Sequence, residues 1–73
     1  MTEAEIFELI VKADEALKYA TEERGEARRR QAKGWLTEAR AEAEAIGNQP
    51  LIDQADRRLA DIARFESSSG ADA

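Results

Sequence analysis

Apolar residues recur every three or four positions along nearly the whole of this chain, and the recurrence is interrupted at Gly25 and again at Gly47. Spacing of that kind is the helical period, whereas a half-buried strand alternates every second residue. The chain therefore reads as three amphipathic helices with no strand. The central block, Glu26 to Ile46, holds the only tryptophan, Trp35, and the blocks before and after it are read as helices laid against it.

The first block opens on Thr2-Glu3-Ala4-Glu5, which has the form of a capping box. The Thr2 hydroxyl accepts from the amide of residue 5, and Glu5 reaches back to the amide of Thr2. Ile6, Ile10, Ala13, Leu17 and Ala20 then form a stripe, widened by Phe7, Leu9 and Ala16. Glu8 with Lys12 and Asp14 with Lys18 are acid-before-base pairs one turn apart, each worth about 0.3 kcal/mol on an exposed helix. Gly25 follows the charged run Glu22-Glu23-Arg24 and stands where a left-handed C-terminal cap belongs, so the first helix is expected over about 2–24. The expectation is a sharp turn there, with one continuous helix bent at Gly25 as the alternative.

The second helix is expected over 26–46. Ala32, Trp35, Leu36, Ala39, Ala43 and Ile46 make its stripe, in which alanine lets neighbouring helices approach closely. Gly34, beside Trp35, suggests a dent that another ring or backbone could occupy. Gly47-Asn48 is a second C-terminal cap signal, and Pro50 falls in the first turn of the next helix, where its missing amide is not needed. That third helix is expected over about 50–65, with Ile52, Ala55, Leu59 and Ile62 as its stripe, Leu51, Ala63 and Phe65 at the margins, and Asp53 paired with Arg57. Ser67 to Ala73 offers nothing to bury and is expected to be a disordered tail. The fold class is thus all-α, a single domain over 1–66 built as a three-helix antiparallel bundle.

Gln31-Ala32 against Gln54-Ala55, Leu36 against Leu59, Ala16 against Ala39, and Ala20 against Ala43 fall at one constant offset, an echo of the kind stacked helical repeats show. The run from Leu36 through Asn48, continued by Asp53-Gln54-Ala55-Asp56-Arg57-Arg58-Leu59-Ala60-Asp61-Ile62, resembles the junction between consecutive tetratricopeptide repeats, over roughly residues 35–62. The aromatic that follows the leucine-small pair in that family is absent. The resemblance implies a helical hairpin plus one helix, with Ala39, Leu59 and Ala60 at packing positions. It also implies a use in protein association, with too few helices for a concave peptide groove and no catalytic residues to carry over.

Composition narrows the function. A chain of 73 residues without cysteine or histidine has no disulfide, thiolate or imidazole to staple it, and it buries too little apolar surface for stability to spare. Without those side chains there is no ordinary general base near neutral pH and no thiol nucleophile, so the chain is read as non-enzymatic, with no cofactor and no metal. Glu5, Glu8, Glu38 and Glu42 could offer oxygens to a weakly held Mg²⁺ or Ca²⁺, but read more simply as a solvated acidic face. No apolar run is long enough to span a membrane, and Met1 to Glu8 carries acids where a signal peptide carries bases, so a soluble cytoplasmic protein is expected.

Arg24, Arg28, Arg29, Arg30 and Lys33 form the one basic cluster. Bases early in a helix oppose its dipole, so neutralising partners are expected: Glu26 for Arg30, and Glu22 or Glu23 across the turn. The functional reading of Arg28, Arg29, Arg30 and Lys33 is an acidic partner or a phosphate, although the net charge of −5 disfavours general nucleic-acid binding. Trp35 is read as a core or subunit-interface anchor. Together these features point to a helical protein-interaction module that associates with itself as a homodimer, or with a larger protein. A small nucleic-acid-binding or transcription-associated regulator using the basic cluster is the alternative.

Overall fold

A computed structural model describes residues 1–21 and 25–71. Among these are three α-helices and no strand: α1, Glu3–Lys18; α2, Gly25–Ala45; and α3, Gln49–Ala71. The all-α, three-helix architecture read from the spacing is the architecture of the chain. α2 is its spine, packing along both α1 and α3, while those two meet only sparsely.

The start of α1 is the expected capping box. The Thr2 amide donates to Glu5 Oε1 at 2.9 Å, and the Glu5 amide donates to Thr2 Oγ1 at 3.2 Å. Its end differs from expectation: α1 stops at Lys18, not near Arg24, and the Ala20 amide closes the last turn by donating to the Leu17 carbonyl at 3.2 Å. Helices in proteins persist where packing of an apolar face supports them, and beyond Leu17 and Ala20 the chain supplies only Thr, Glu and Arg until Gly25. The expected pairings through Glu22 and Glu23, and Arg24 itself, lie outside the described residues.

Gly25 is also not the left-handed cap it was expected to be. It is the buried first residue of α2, and a Cβ there would meet the Arg29 guanidinium and come within 3.2 Å of Ala20 Cβ. Close approach of α1 to the start of α2, not backbone handedness, calls for glycine. The two helices form a hairpin rather than one bent rod.

The α2–α3 joint follows the expectation closely. Gly47 has φ +69°, and the paired bonds of a Schellman motif are present: the Asn48 amide donates to Ala43 O at 2.9 Å and the Gly47 amide to Glu44 O at 3.1 Å. Asn48 then serves α3 as well, its Oδ1 accepting from the Leu51 amide at 3.1 Å as an N-cap. Pro50 sits in the first turn. The backbone of α3 is helical through Ala71, past the Phe65 boundary read from the sequence and into the stretch expected to be loose; residues 72–73 lie outside the described residues.

The core is small and made largely of alanine. Ile6, Ile10 and Leu36 are the largest side chains wholly withdrawn from solvent, joined by Ala13, Ala16, Ala32, Ala39, Ala43, Ala55, Leu51 and Ile62. Alanine faces bring helix axes close but fill little volume, so α2 can serve two neighbours while burying one large residue. Ion pairs tie the elements at the rim: Asp14 of α1 to Arg58 of α3 at 2.7 Å, Arg40 of α2 to Asp56 of α3, and Lys33 of α2 to Glu66 of α3 at 3.8 Å. The expected pairs Glu8–Lys12, Asp14–Lys18 and Asp53–Arg57 do not form; Asp14 turns to Arg58, and Asp53 accepts from Gln49 Nε2 at 2.8 Å. Among the described residues, no helix is long and apolar enough to cross a membrane.

Candidate functional site

Trp35 is neither core nor fully exposed. It lies half-buried on the flank of α2, packed against the edge of the core. With Arg28 and Gln31 from α2, Lys12, Glu15 and Ala16 from α1, and Tyr19 at the C-cap of α1, it lines a shallow depression between the two helices. The spacing explains the grouping: Arg28, Gln31 and Trp35 are separated by three and four residues, as are Lys12, Ala16 and Tyr19. The depression holds about 220 Å³, below the roughly 300–1,000 Å³ typical of small-molecule sites. Tyr19, which sequence reading passed over, is 63% exposed and carries the Lys18 ammonium 5.8 Å from its ring centre. The signal for it was available as an aromatic seven residues after Lys12 and three after Ala16, the helical spacing of one face.

The basic run is spread around α2. Successive helix residues point about 100° apart, so four bases within six positions cannot share one face. Arg30 pairs with Glu26 at 3.2 Å, the partner expected for it. Arg29 is half-buried, its guanidinium 4.3 Å from the Phe65 ring centre and its Nη1 donating to the Thr21 carbonyl at 3.4 Å. Lys33 reaches Glu66. Arg28 alone of the four turns toward Trp35, and among the described residues neither it nor Lys12 has an acidic partner within ion-pair distance.

Apolar side chains remain uncovered elsewhere. Met1, Phe7, Val11, Tyr19, Ile46 and Phe65 are between 38% and 63% exposed. Phe7 and Ile46, read as part of the buried stripes, therefore lie at their outer edges. Phe7 and Leu51 border an open trough with Pro50, and Phe65 borders another with Leu17, Ala20 and Ile62. The dent expected at Gly34 is absent: nothing lies within 4 Å of where its Cβ would be, and the residue faces solvent. Of the positions singled out by the tetratricopeptide resemblance, Ala39 is buried, Leu59 half-buried and Ala60 exposed.

Glu5 is held below the usual glutamate range by the Thr2 amide and hydroxyl, a capping effect. Arg40 is raised by its hydrogen bond to Asp56 and by the charges of Asp56 and Glu44. Among the described residues, no three of Asp and Glu are grouped so as to hold a metal ion. The Arg40 triad and the Arg58–Asp14 tie escape a reading by helix-internal spacing because both join different helices. Comparison with protein-family models, with curated proteins and with solved structures gives no match to this chain.

Proposed function

We propose that this chain is a non-catalytic helical interaction module of the cytoplasm, which associates through uncovered apolar helix faces with a second copy of itself or with a larger protein. One observation carries the reading. Among the described residues, six large hydrophobic side chains stand at least 38% exposed and the lone tryptophan is half-buried, while the buried core holds five large ones, Ile6, Ile10, Leu36, Leu51 and Ile62. Scattered exposed hydrophobics are ordinary, but here they outnumber the large residues of the core. Covering them offers the stability that so small an interior does not supply. The hairpin of α2 and α3, where the tetratricopeptide resemblance lies, is proposed as scaffold for these faces rather than as a peptide groove.

The nucleic-acid alternative draws less support. Phosphate recognition needs bases gathered on one face, whereas two of the four are paired with acids and a third lies over Phe65. Light scattering tests the proposal: a dimer is expected at micromolar concentration, with Trp35→Ala shifting the population toward monomer while far-UV circular dichroism stays unchanged. A chain that remains monomeric throughout that range, and whose stability does not vary with its concentration, refutes self-association.

A further inference from the structure

The flank of the molecule carrying Trp35 is divided by charge. Arg28 lies two helical turns before Trp35 and Glu42 two turns after it, with Gln31 and Glu38 between, all on the α2 face that looks toward the outer edge of α1. The Met1 amino group, 3.7 Å from Glu42, fixes which end of α1 lies beside which end of α2. Glu8 and Glu5, one and two turns before Lys12 on the same side of α1, therefore fall beside Glu38 and Glu42. One half of the flank is acidic, through Glu5, Glu8, Glu38 and Glu42, four acids against the Met1 ammonium that Glu42 already faces. The other is basic through Lys12 and Arg28, with Glu15 as its one acid among the described residues, and Trp35 stands at the boundary.

We propose that this flank is the self-association surface, and that its occupant is a second copy related by a two-fold axis running across the helices near Trp35. The proposal rests on the reading of the chain as self-associating and adds the face and the orientation. A surface acidic at one end and basic at the other matches itself when turned end over end, which is the requirement of a closed two-fold interface. In that arrangement α2 crosses the second copy's α2 antiparallel. Arg28, about 10 Å before the axis, meets the second copy's Glu42, about 10 Å beyond it, and the converse pair forms at the other end. The two indoles approach at the centre, where an aromatic anchor contributes most, and at either side Arg28 gains the acidic partner that it lacks among the described residues. A parallel arrangement would set Arg28 near Arg28 and Glu42 near Glu42.

The experiment is sedimentation equilibrium on the wild-type chain, Arg28→Glu, Glu42→Lys and the double variant carrying both, each checked by far-UV circular dichroism. Each single variant sets like charges across the axis and is expected to raise the dimer dissociation constant about tenfold or more. The double variant restores opposite charges at both contacts and is expected to return close to wild type. Wild-type dimerisation should also weaken between low salt and about 0.5 M salt, a measurement that needs no variant. A dimer indifferent to all three variants and to salt overturns this interface while leaving self-association through another face, which Phe7→Ser would then disrupt. Single variants that weaken the dimer with no recovery in the double variant also overturn the proposed orientation. A wild-type chain that never dimerises removes both the interface and the functional reading.

Discussion

Alanine substituted at three glycines should give three different outcomes, and the reason differs at each. Gly34 lies in the middle of α2, exposed, with nothing within 4 Å of the missing Cβ. Alanine there meets no steric cost and removes conformational freedom from the unfolded chain, so Gly34→Ala should stabilise the fold by about 0.8–1 kcal/mol. In a domain of this size that raises the melting temperature by roughly 4–8 °C. Gly47 is the opposite case: at φ +69° an L side chain crowds its own backbone, so Gly47→Ala should cost about 1–2 kcal/mol and lower the melting temperature. Gly25→Ala brings a methyl group to 3.2 Å from Ala20 Cβ and onto the Arg29 guanidinium, which must give up its place over Phe65. Its loss should be smaller than that of Gly47→Ala because Arg29 can move. Urea unfolding followed at 222 nm, at one fixed protein concentration, gives the three values, with unchanged m-values as the check that only stability has altered. A Gly34→Ala chain no more stable than wild type would refute the reasoning, because it would mean that the space above Gly34 is occupied in solution.

Leu36→Ala should cost about 2–5 kcal/mol, comparable with the roughly 3–5 kcal/mol that a core of this size supplies, so the variant is expected to lose its cooperative thermal transition. Thr2→Ala should lower stability by about 1 kcal/mol through loss of the N-cap, read from the same urea curves. Because the folded state holds Glu5 below its ordinary pKa, the unfolded chain binds its proton at higher pH than the folded one. That contribution is complete above the ordinary glutamate value and is lost as pH falls through the depressed one; Glu5→Gln should flatten this part of the acid limb of the stability profile.

The elements were legible where local chemistry decides them. Thr2 with Glu5, and Gly47 with Asn48, are short-range signals whose hydrogen bonds close within a few residues, and both were met in the fold. Gly25 was misread because its purpose is contact with Ala20 and Arg29, and a cap glycine cannot be told by sequence from one required by close approach. The end of α1 was placed late for a related reason: helical propensity continues through the charged run, but apolar support stops at Ala20. For the candidate site, the spacing of Arg28, Gln31 and Trp35 was present in the sequence. Joining them to Lys12 and Tyr19 required knowing which flank of α2 the first helix takes. The basic run looked like one cluster only because adjacency along the chain was read as adjacency in space.

Asn48 closes one helix with its amide and opens the next with its side chain, so the joint between α2 and α3 contains no spare residue. Adding a single residue there would index the third rod by about 100°, like a gear advanced by one tooth. The sides bearing Leu51, Ala55 and Ile62 would swing out to solvent, and Arg58 and Asp56 would lose their mates on both other rods at once. Length at this joint is therefore restrictive in its own right, and a one-residue insertion there should lower stability more than one in a connection with residues to spare.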